Sequence, residues 1–431
     1  MSTYLIACTP AHGHVVPLVR IARDLLARGH EVSVLTSARY AERVRAAGAR
    51  FVPLPADADV NLDDADAEFP ERVGLRGPAA IRFDMSNLFI RPAASQFAAL
   101  RAELAGSEVD AVLAEPLFFG AALLARLPRE ERPAVVALGI FPLGVKSRDT
   151  APFGLGIPPL GGAIGRVRNA ALSVLAENVI FGGVQREADA VCRRETGTGL
   201  AGFILDWASA ADALVQFTVP GFEYPRSDLP DTVHFAGPLT APAPDTVVPE
   251  WWDDLDGTRP VVHVTQGTIA NSDFGQLVLP TVAAMAASEC LVVVSTGGRA
   301  RESLPAELPA NVRVAEYLPY DRFLPLVDVM VTNGGYGGVQ QALAHAVPLV
   351  VAGQTEDKVE VCARVGWSGA GINLKTNRPA AAAVGAAVSR VLSESSFRAR
   401  AEALSAELRA SSGVDGLSRV LQQMSAREGA R

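Results

Sequence analysis

The residues best suited to chemistry fall in two stretches far apart in the chain. The first is Pro10-Ala-His-Gly-His-Val-Val-Pro17, a loop that carries His12 and His14. Imidazole is the side chain whose ordinary titration lies near neutral pH. The second spans residues 331–358, where Asn333-Gly-Gly-Tyr-Gly-Gly338 leads into Gln341 and, one apolar segment later, into Glu356-Asp357-Lys358. Gly334, Gly335, Gly337 and Gly338 let backbone N–H groups come close to a ligand. A helix that starts among them favours an anion, most often a phosphate. A glycine cluster can equally be a tight turn that binds nothing. The second polar loop shifts the balance, because loops after successive strands of a parallel sheet emerge on one edge, where open α/β folds bind ligands.

Both stretches need strands ahead of them. Residues 4–9 read as an apolar strand. Leu18, Ile21, Ala22 and Leu25 then recur at helical spacing, Gly29 closes the helix, and residues 31–36 form a second strand, a βαβ unit. The Gly-x-Gly-x-x-Gly pattern is absent there, so a dinucleotide has no cradle. Residues 51–91, with Asp57, Asp59, Asp63, Asp64 and Asp66, show no period and read as an irregular insertion over the strand edge. Residues 111–114 form a buried strand that ends at Glu115, whose carboxylate faces the edge of the histidine loop. A strand at 134–138 precedes a Gly- and Pro-rich segment, 141–165, that fits a mobile loop.

Helical patterns at 172–180 and 184–194 and strands at 213–217 and 233–235 complete the first series. Gly237-Pro-Leu-Thr-Ala-Pro-Ala-Pro-Asp245 reads as a linker. A second α/β series follows, with strands at 260–265, 290–295, 312–317, 329–332 and 348–352 and helical patterns as far as residue 424. The expected architecture is therefore two doubly wound α/β domains, residues 1–236 and 251–431, joined by a linker at 237–250. The cleft between them is the natural place for a site.

Composition agrees. A chain of 431 residues suits about two domains, and 49% hydrophobic with 20% charged residues describes a globular protein. The net charge of −8, from 39 basic and 47 acidic residues without any basic run, excludes a nucleic-acid partner. The longest apolar runs, such as 291–294 and 349–352, fall far short of the roughly 18 residues of a membrane span. Met1-Ser-Thr-Tyr4 lacks the basic start of a signal peptide, so a cytoplasmic protein is expected. Cys8, Cys192, Cys290 and Cys362 lie far apart without metal-ligand spacing and read as small buried residues.

Taken together, Pro10–Pro17, Gln266-Gly-Thr268 and the stretch from Asn333 to Lys358 resemble the family 1 glycosyltransferases of GT-B fold, especially bacterial enzymes that act on natural products. The resemblance covers nearly the whole chain. It implies that the C-terminal domain binds a nucleotide diphosphate sugar, UDP- or dTDP-linked, as co-substrate. The N-terminal domain binds a small-molecule acceptor, and the transfer inverts the sugar without a metal or other cofactor. It places His14 as the base that deprotonates the acceptor hydroxyl, a task that suits imidazole. Glu115 stands where the family usually has an aspartate that orients the histidine; one methylene longer, it pairs with His14, lines the acceptor pocket or caps a helix. His12 is taken as structural.

On the donor side the resemblance assigns Tyr317, where the family usually has tryptophan, to stacking on the base, with Leu318 beside it. Thr268 is assigned to a phosphate oxygen and Asp357 to sugar hydroxyls. Gly335 and Gly337 belong to the phosphate turn. Four positions depart from the family pattern: Asn333 replaces a histidine, Gly338 a serine or threonine, Gln341 the ribose-binding glutamate, and Lys358 a glutamine. Asn and Gln keep hydrogen-bonding capacity, but a positive charge on the diphosphate is lost. Lys358 restores charge near the donor or faces solvent. Phe118, Phe141 and Phe153 suit a hydrophobic acceptor, with the core as their alternative home. Other readings of the chain are a nucleotide-sugar epimerase of the same fold and a non-catalytic auxiliary protein. A monomer or homodimer is expected.

Overall fold

A computed structural model describes residues 1–239, 247–268 and 271–428. Among these, the chain forms two parallel sheets. The first contains β1 (Thr3–Ala7), β2 (Glu31–Thr36), β3 (Arg50–Pro53), β4 (Ala111–Ala114), β5 (Ala134–Gly139), β6 (Ala213–Gln216) and β7 (Val233–Phe235). Its order is β3-β2-β1-β4-β5-β6-β7. The second contains β8 (Val261–Thr265), β9 (Leu291–Ser295), β10 (Val312–Ala315), β11 (Val329–Thr332), β12 (Leu349–Val351) and β13 (Gly371–Asn373), in the order β10-β9-β8-β11-β12-β13.

Strand alternation explains the layers. In β1, Leu5 and Ala7 enter one apolar cluster while Tyr4 and Ile6 enter the cluster on the opposite face. In β8 and β9, Val261, Leu291 and Val293 face one side and Val262, Val264, Val292 and Val294 the other. Side chains two residues apart share a face, so strands buried on both sides must be apolar throughout.

Each sheet reverses its winding at one point, between β1 and β4 and between β8 and β11. Crevices at such switch points hold the ligands of open α/β sheets. The histidine loop follows β1 and Glu115 follows β4. Gln266 to Thr268 follow β8, and the glycine turn follows β11.

Several expectations need correction. The helix Val414–Glu428, counted with residues 251–431, packs Leu417, Val420 and Leu421 into the core of the first sheet beside Ile6, Val215 and Ala236. Residues 51–91 are not irregular throughout. They hold β3 and the helices Ala65–Glu68 and Pro78–Asp84, the latter running on into a π-helical turn, Met85–Ile90. β3 escaped notice because it is an edge strand with only Val52 buried, and β13 because it is three residues long and starts with glycine. Of the expected linker, residues 240–246 lie outside the described residues.

The domains meet through buried charge. Arg364, on the helix Lys358–Ser368, is 1% exposed. It donates to Glu223 Oε2 at 2.8 Å, to Glu360 Oε2 at 2.6 Å and to the Leu143 carbonyl at 3.2 Å, and its guanidinium stacks over the Tyr224 ring. The segment expected to be a mobile loop is held here: Leu143 is buried and donates its N–H to Glu223 Oε1 at 2.8 Å. Nearby, Gln216 Nε2 reaches Tyr336 Oη at 3.2 Å and Gln340 Nε2 reaches Thr218 Oγ1 at 2.8 Å.

Leu417→Ala is expected to lower stability by about 3 kcal/mol, the usual cost of truncating a buried leucine. A urea titration reads this as a fall in midpoint; a change near zero would mean that the last helix is not seated in the first domain.

Candidate active site

The histidine side is built at the β1–β4 junction. The helix His12–Ala27 starts directly after β1, which places His14 in its first turn with a side chain one-fifth exposed. Glu115 is fully buried at the end of β4. Its Oε1 accepts from the Thr9 N–H at 3.1 Å and its Oε2 from the Leu117 N–H at 2.7 Å. Oε2 also lies 3.2 Å from His14 Nδ1, within ion-pair distance although off the line of a hydrogen bond. Glu115 thus satisfies its own turn and faces the imidazole.

Electrostatics follow from this packing. Burial opposes protonation of His14, but the Glu115 carboxylate, aided by Asp357 and Glu356 from the other domain, outweighs it and raises the pKa. Burial likewise works against the Glu115 charge, which His14 and the Thr9 and Leu117 contacts overcome, so its pKa is lowered. His12 plays another part. Its N–H donates to Asp63 Oδ1 at 2.9 Å, and Asp63 also receives the Tyr40 hydroxyl, so the acidic insertion is pinned onto the histidine loop. Beyond His14 the Phe141 ring lies 6.2 Å away and the Phe153 ring 6.0 Å from Phe141, both half-buried.

The opposite wall comes from the second sheet. After β11, Gly334 sits at φ +85°, where a Cβ would also fall 2.4 Å from Cys362 Sγ. Gly335 caps the helix Tyr336–Ala344, which has no side-chain cap. The first N–H groups of a helix have no intrahelical partner, so those of Tyr336, Gly337 and Gly338 are left without one here. Gly337 has open space around it. Asn333 Nδ2 donates to the Gln266 carbonyl at 2.7 Å, which joins the loops after β11 and β8. Tyr317 is 55% exposed, with its hydroxyl against Gly298, and Thr268 is exposed. Asp357 precedes the helix Lys358–Ser368; burial raises its pKa against the pull of Lys358.

His14, Glu115, Phe141, Phe153, Asp357 and the glycine turn are therefore brought to one cleft. Gln341 lies half-buried in the helix beyond the turn. Two assignments need correction, and for Lys358 one of two alternatives falls away. Phe118 is fully buried in the first domain's core and Leu318 is buried, though not fully, in the second's, because each lands on the inward side of its loop. Lys358 does not face solvent; its side chain is about one-tenth exposed and its ammonium pairs with Glu356. Sequence reasoning missed Asn271, whose Nδ2 holds the Gly267 and Thr296 carbonyls at 3.0 and 2.9 Å. It also missed Arg364, and it named Asp63 without its contact to the His12 N–H. Of these only Arg364 left a trace, an i, i+4 pairing with Glu360.

Two facing parallel-sheet domains with a histidine–carboxylate pair opposite a glycine-rich helix start define a GT-B protein. Residues 277–422 match the model of the erythromycin biosynthesis protein CIII-like C-terminal domain. The 4'-demethylrebeccamycin synthase of Lentzea aerocolonigenes is 43% identical over 419 residues, covering 95% of this chain and 96% of that protein. UDP-glycosyltransferase 2 of Phaeomoniella chlamydospora is 33% identical, over 98% and 95%. The solved structure of the glycosyltransferase VinC in complex with dTDP superposes with a TM-score of 0.69 at 19% identity, covering 99% of this chain and 100% of that one. The chain belongs to the family 1 glycosyltransferases of natural-product biosynthesis. No helix among the described residues is long and apolar enough to cross a membrane.

Glu115→Gln keeps a carbonyl acceptor but removes the charge that favours imidazolium. The His14 pKa is expected to fall below its wild-type value in an NMR titration of the histidine ring protons. An unchanged value would mean that Glu115 does not act on His14.

Proposed function

We propose that the protein is an inverting, metal-independent glycosyltransferase that moves a sugar from a UDP- or dTDP-linked donor to a hydroxyl of a hydrophobic small molecule such as a natural-product aglycone. The observation that carries this reading is the His14–Glu115 pair on one wall of the cleft, with Asp357 on the other close enough for its charge to act on His14. The bound dTDP named for VinC and the UDP in the name of the 33% identical relative support a nucleotide diphosphate donor.

In this reading His14 takes the proton from the acceptor hydroxyl as that oxygen attacks the anomeric carbon. The bond from carbon to diphosphate breaks on the opposite face and its electron pair leaves with the diphosphate. Glu115 stabilises the imidazolium that forms. The N–H groups of Tyr336, Gly337 and Gly338 face the growing negative charge, which compensates in part for the cation that Asn333 does not supply. Asp357 accepts from sugar hydroxyls, Tyr317 stacks on the base, and Thr268 and Gln341 bind phosphate and ribose. Phe141 and Phe153 receive the acceptor's apolar body. The epimerase and auxiliary-protein readings are not favoured, since close relatives are named as glycosyltransferases.

The test is release of nucleoside diphosphate from UDP-glucose and dTDP-glucose with a panel of hydroxylated aromatics, 2-naphthol and hydroxyanthraquinones among them. His14→Ala is expected to lose about 10²- to 10⁴-fold in turnover, the usual contribution of a general base. Wild-type rates in that variant would refute the assignment. The base must be neutral to act, so activity falls as the pH drops through the His14 pKa. Because Glu115 raises that pKa, the acidic limb should move to lower pH in Glu115→Gln.

A further inference from the structure

The helix Lys358–Ser368 carries two acidic residues at its start, and they serve different parts of the molecule. Asp357, just ahead of its first turn, faces the cleft. Glu360 is 3% exposed and turns to the first domain. Its Oε1 accepts two backbone N–H groups, from Gly154 at 2.8 Å and Gly156 at 2.9 Å, while Oε2 takes the Arg364 guanidinium at 2.6 Å. A buried carboxylate with this many donors is fully satisfied.

The two glycines flank the end of the aromatic run that begins at His14. Phe153 directly precedes Gly154, touches Phe141 at 6.0 Å and packs over Gly144. Gly156 sits at φ +59°, and a Cβ there would lie 2.7 Å from Val359 Cγ2 and 3.0 Å from the Val359 carbonyl. The loop therefore touches the donor-domain helix so closely that only glycine fits. The other end of the same segment, at Leu143, is held by Glu223 and Arg364.

The geometry points to Glu360 as a positioning residue for the acceptor: it fastens the Phe141–Phe153 wall of the acceptor pocket to the first turn of the helix that presents Asp357. This rests on the reading of that wall as acceptor-binding. The pocket for one substrate is then completed by the domain that binds the other, and acceptor affinity depends on a residue that touches neither substrate.

Two variants loosen the contact by different means. Glu360→Gln removes the charge and leaves one acceptor oxygen for two sets of donors, so that with the oxygen on Arg364 the amide NH2 meets the Gly154 and Gly156 N–H groups; Gly156→Ala leaves the charges alone and pushes the loop off Val359. Hydrogen–deuterium exchange over residues 152–157, UDP and dTDP affinity by calorimetry, and acceptor KM on the best of the aromatic alcohols are measured for both. The expected result is faster exchange and an acceptor KM raised by about tenfold or more, as misplacement of a binding wall produces, with nucleotide affinity unchanged. Unchanged exchange overturns the proposal, and so does a joint loss of acceptor and nucleotide binding, which would mark a purely structural role. Failure of the wild type to release diphosphate with any acceptor overturns the transferase reading, and the acceptor role of Glu360 with it. The exchange data need no turnover and tell the two failures apart.

Discussion

The structure depends on a charge that has no water around it. Arg364 is buried between the two domains, and removing an ion from water costs several kcal/mol unless partners replace the solvent. Glu223 comes from the first domain, Glu360 from Arg364's own helix, and the Leu143 carbonyl from the loop that leads to the acceptor wall. Arg226, also buried and 3.9 Å from Glu223, makes the cluster two cations and two anions. Opening the interface would strip Arg364 of Glu223 and the Leu143 carbonyl, leaving Glu360 as its carboxylate partner. The contact therefore sets the register in which the two sheets face each other.

That register makes the site composite. Neither switch-point crevice has the full chemistry. The first domain supplies an imidazole with a buried carboxylate behind it, and the second supplies a helix start and an acid. The effect of Asp357 and Glu356 on His14 crosses the domain boundary, so proton affinity at the proposed base depends on how the domains sit. The departures from the family pattern take on physical meaning here. Asn333 is spent on joining two loops of the donor wall, and Lys358 is spent on Glu356. Lys358 lies just behind Asp357, where it works against the rise that burial causes in the Asp357 pKa.

Much of this was legible in the sequence. Apolar runs buried on both faces identified most strands, and the order of strands and glycine turns placed His14, Glu115 and the 333–358 stretch at the right ends of them. Residues whose position depends on long-range packing were not legible. Phe118 and Phe141 look alike in sequence, yet one falls inward after β4 and the other beside His14. Asp63 stood as one of five acids in an insertion without a period, and its bond to the His12 N–H spans 51 residues. The return of the last helix to the first sheet left no local signal, because an amphipathic pattern states that a face is buried but not against what.

The most direct test of the composite site is a crystal structure of the protein with dTDP or UDP and a hydroxylated aromatic acceptor. The account predicts diphosphate oxygens within hydrogen-bond distance, roughly 3 Å, of the backbone N–H groups at Tyr336, Gly337 and Gly338. It also predicts the acceptor hydroxyl at roughly 2.6–3.2 Å from the His14 imidazole. A diphosphate bound away from that helix start, or an acceptor whose hydroxyl points away from His14, would contradict it.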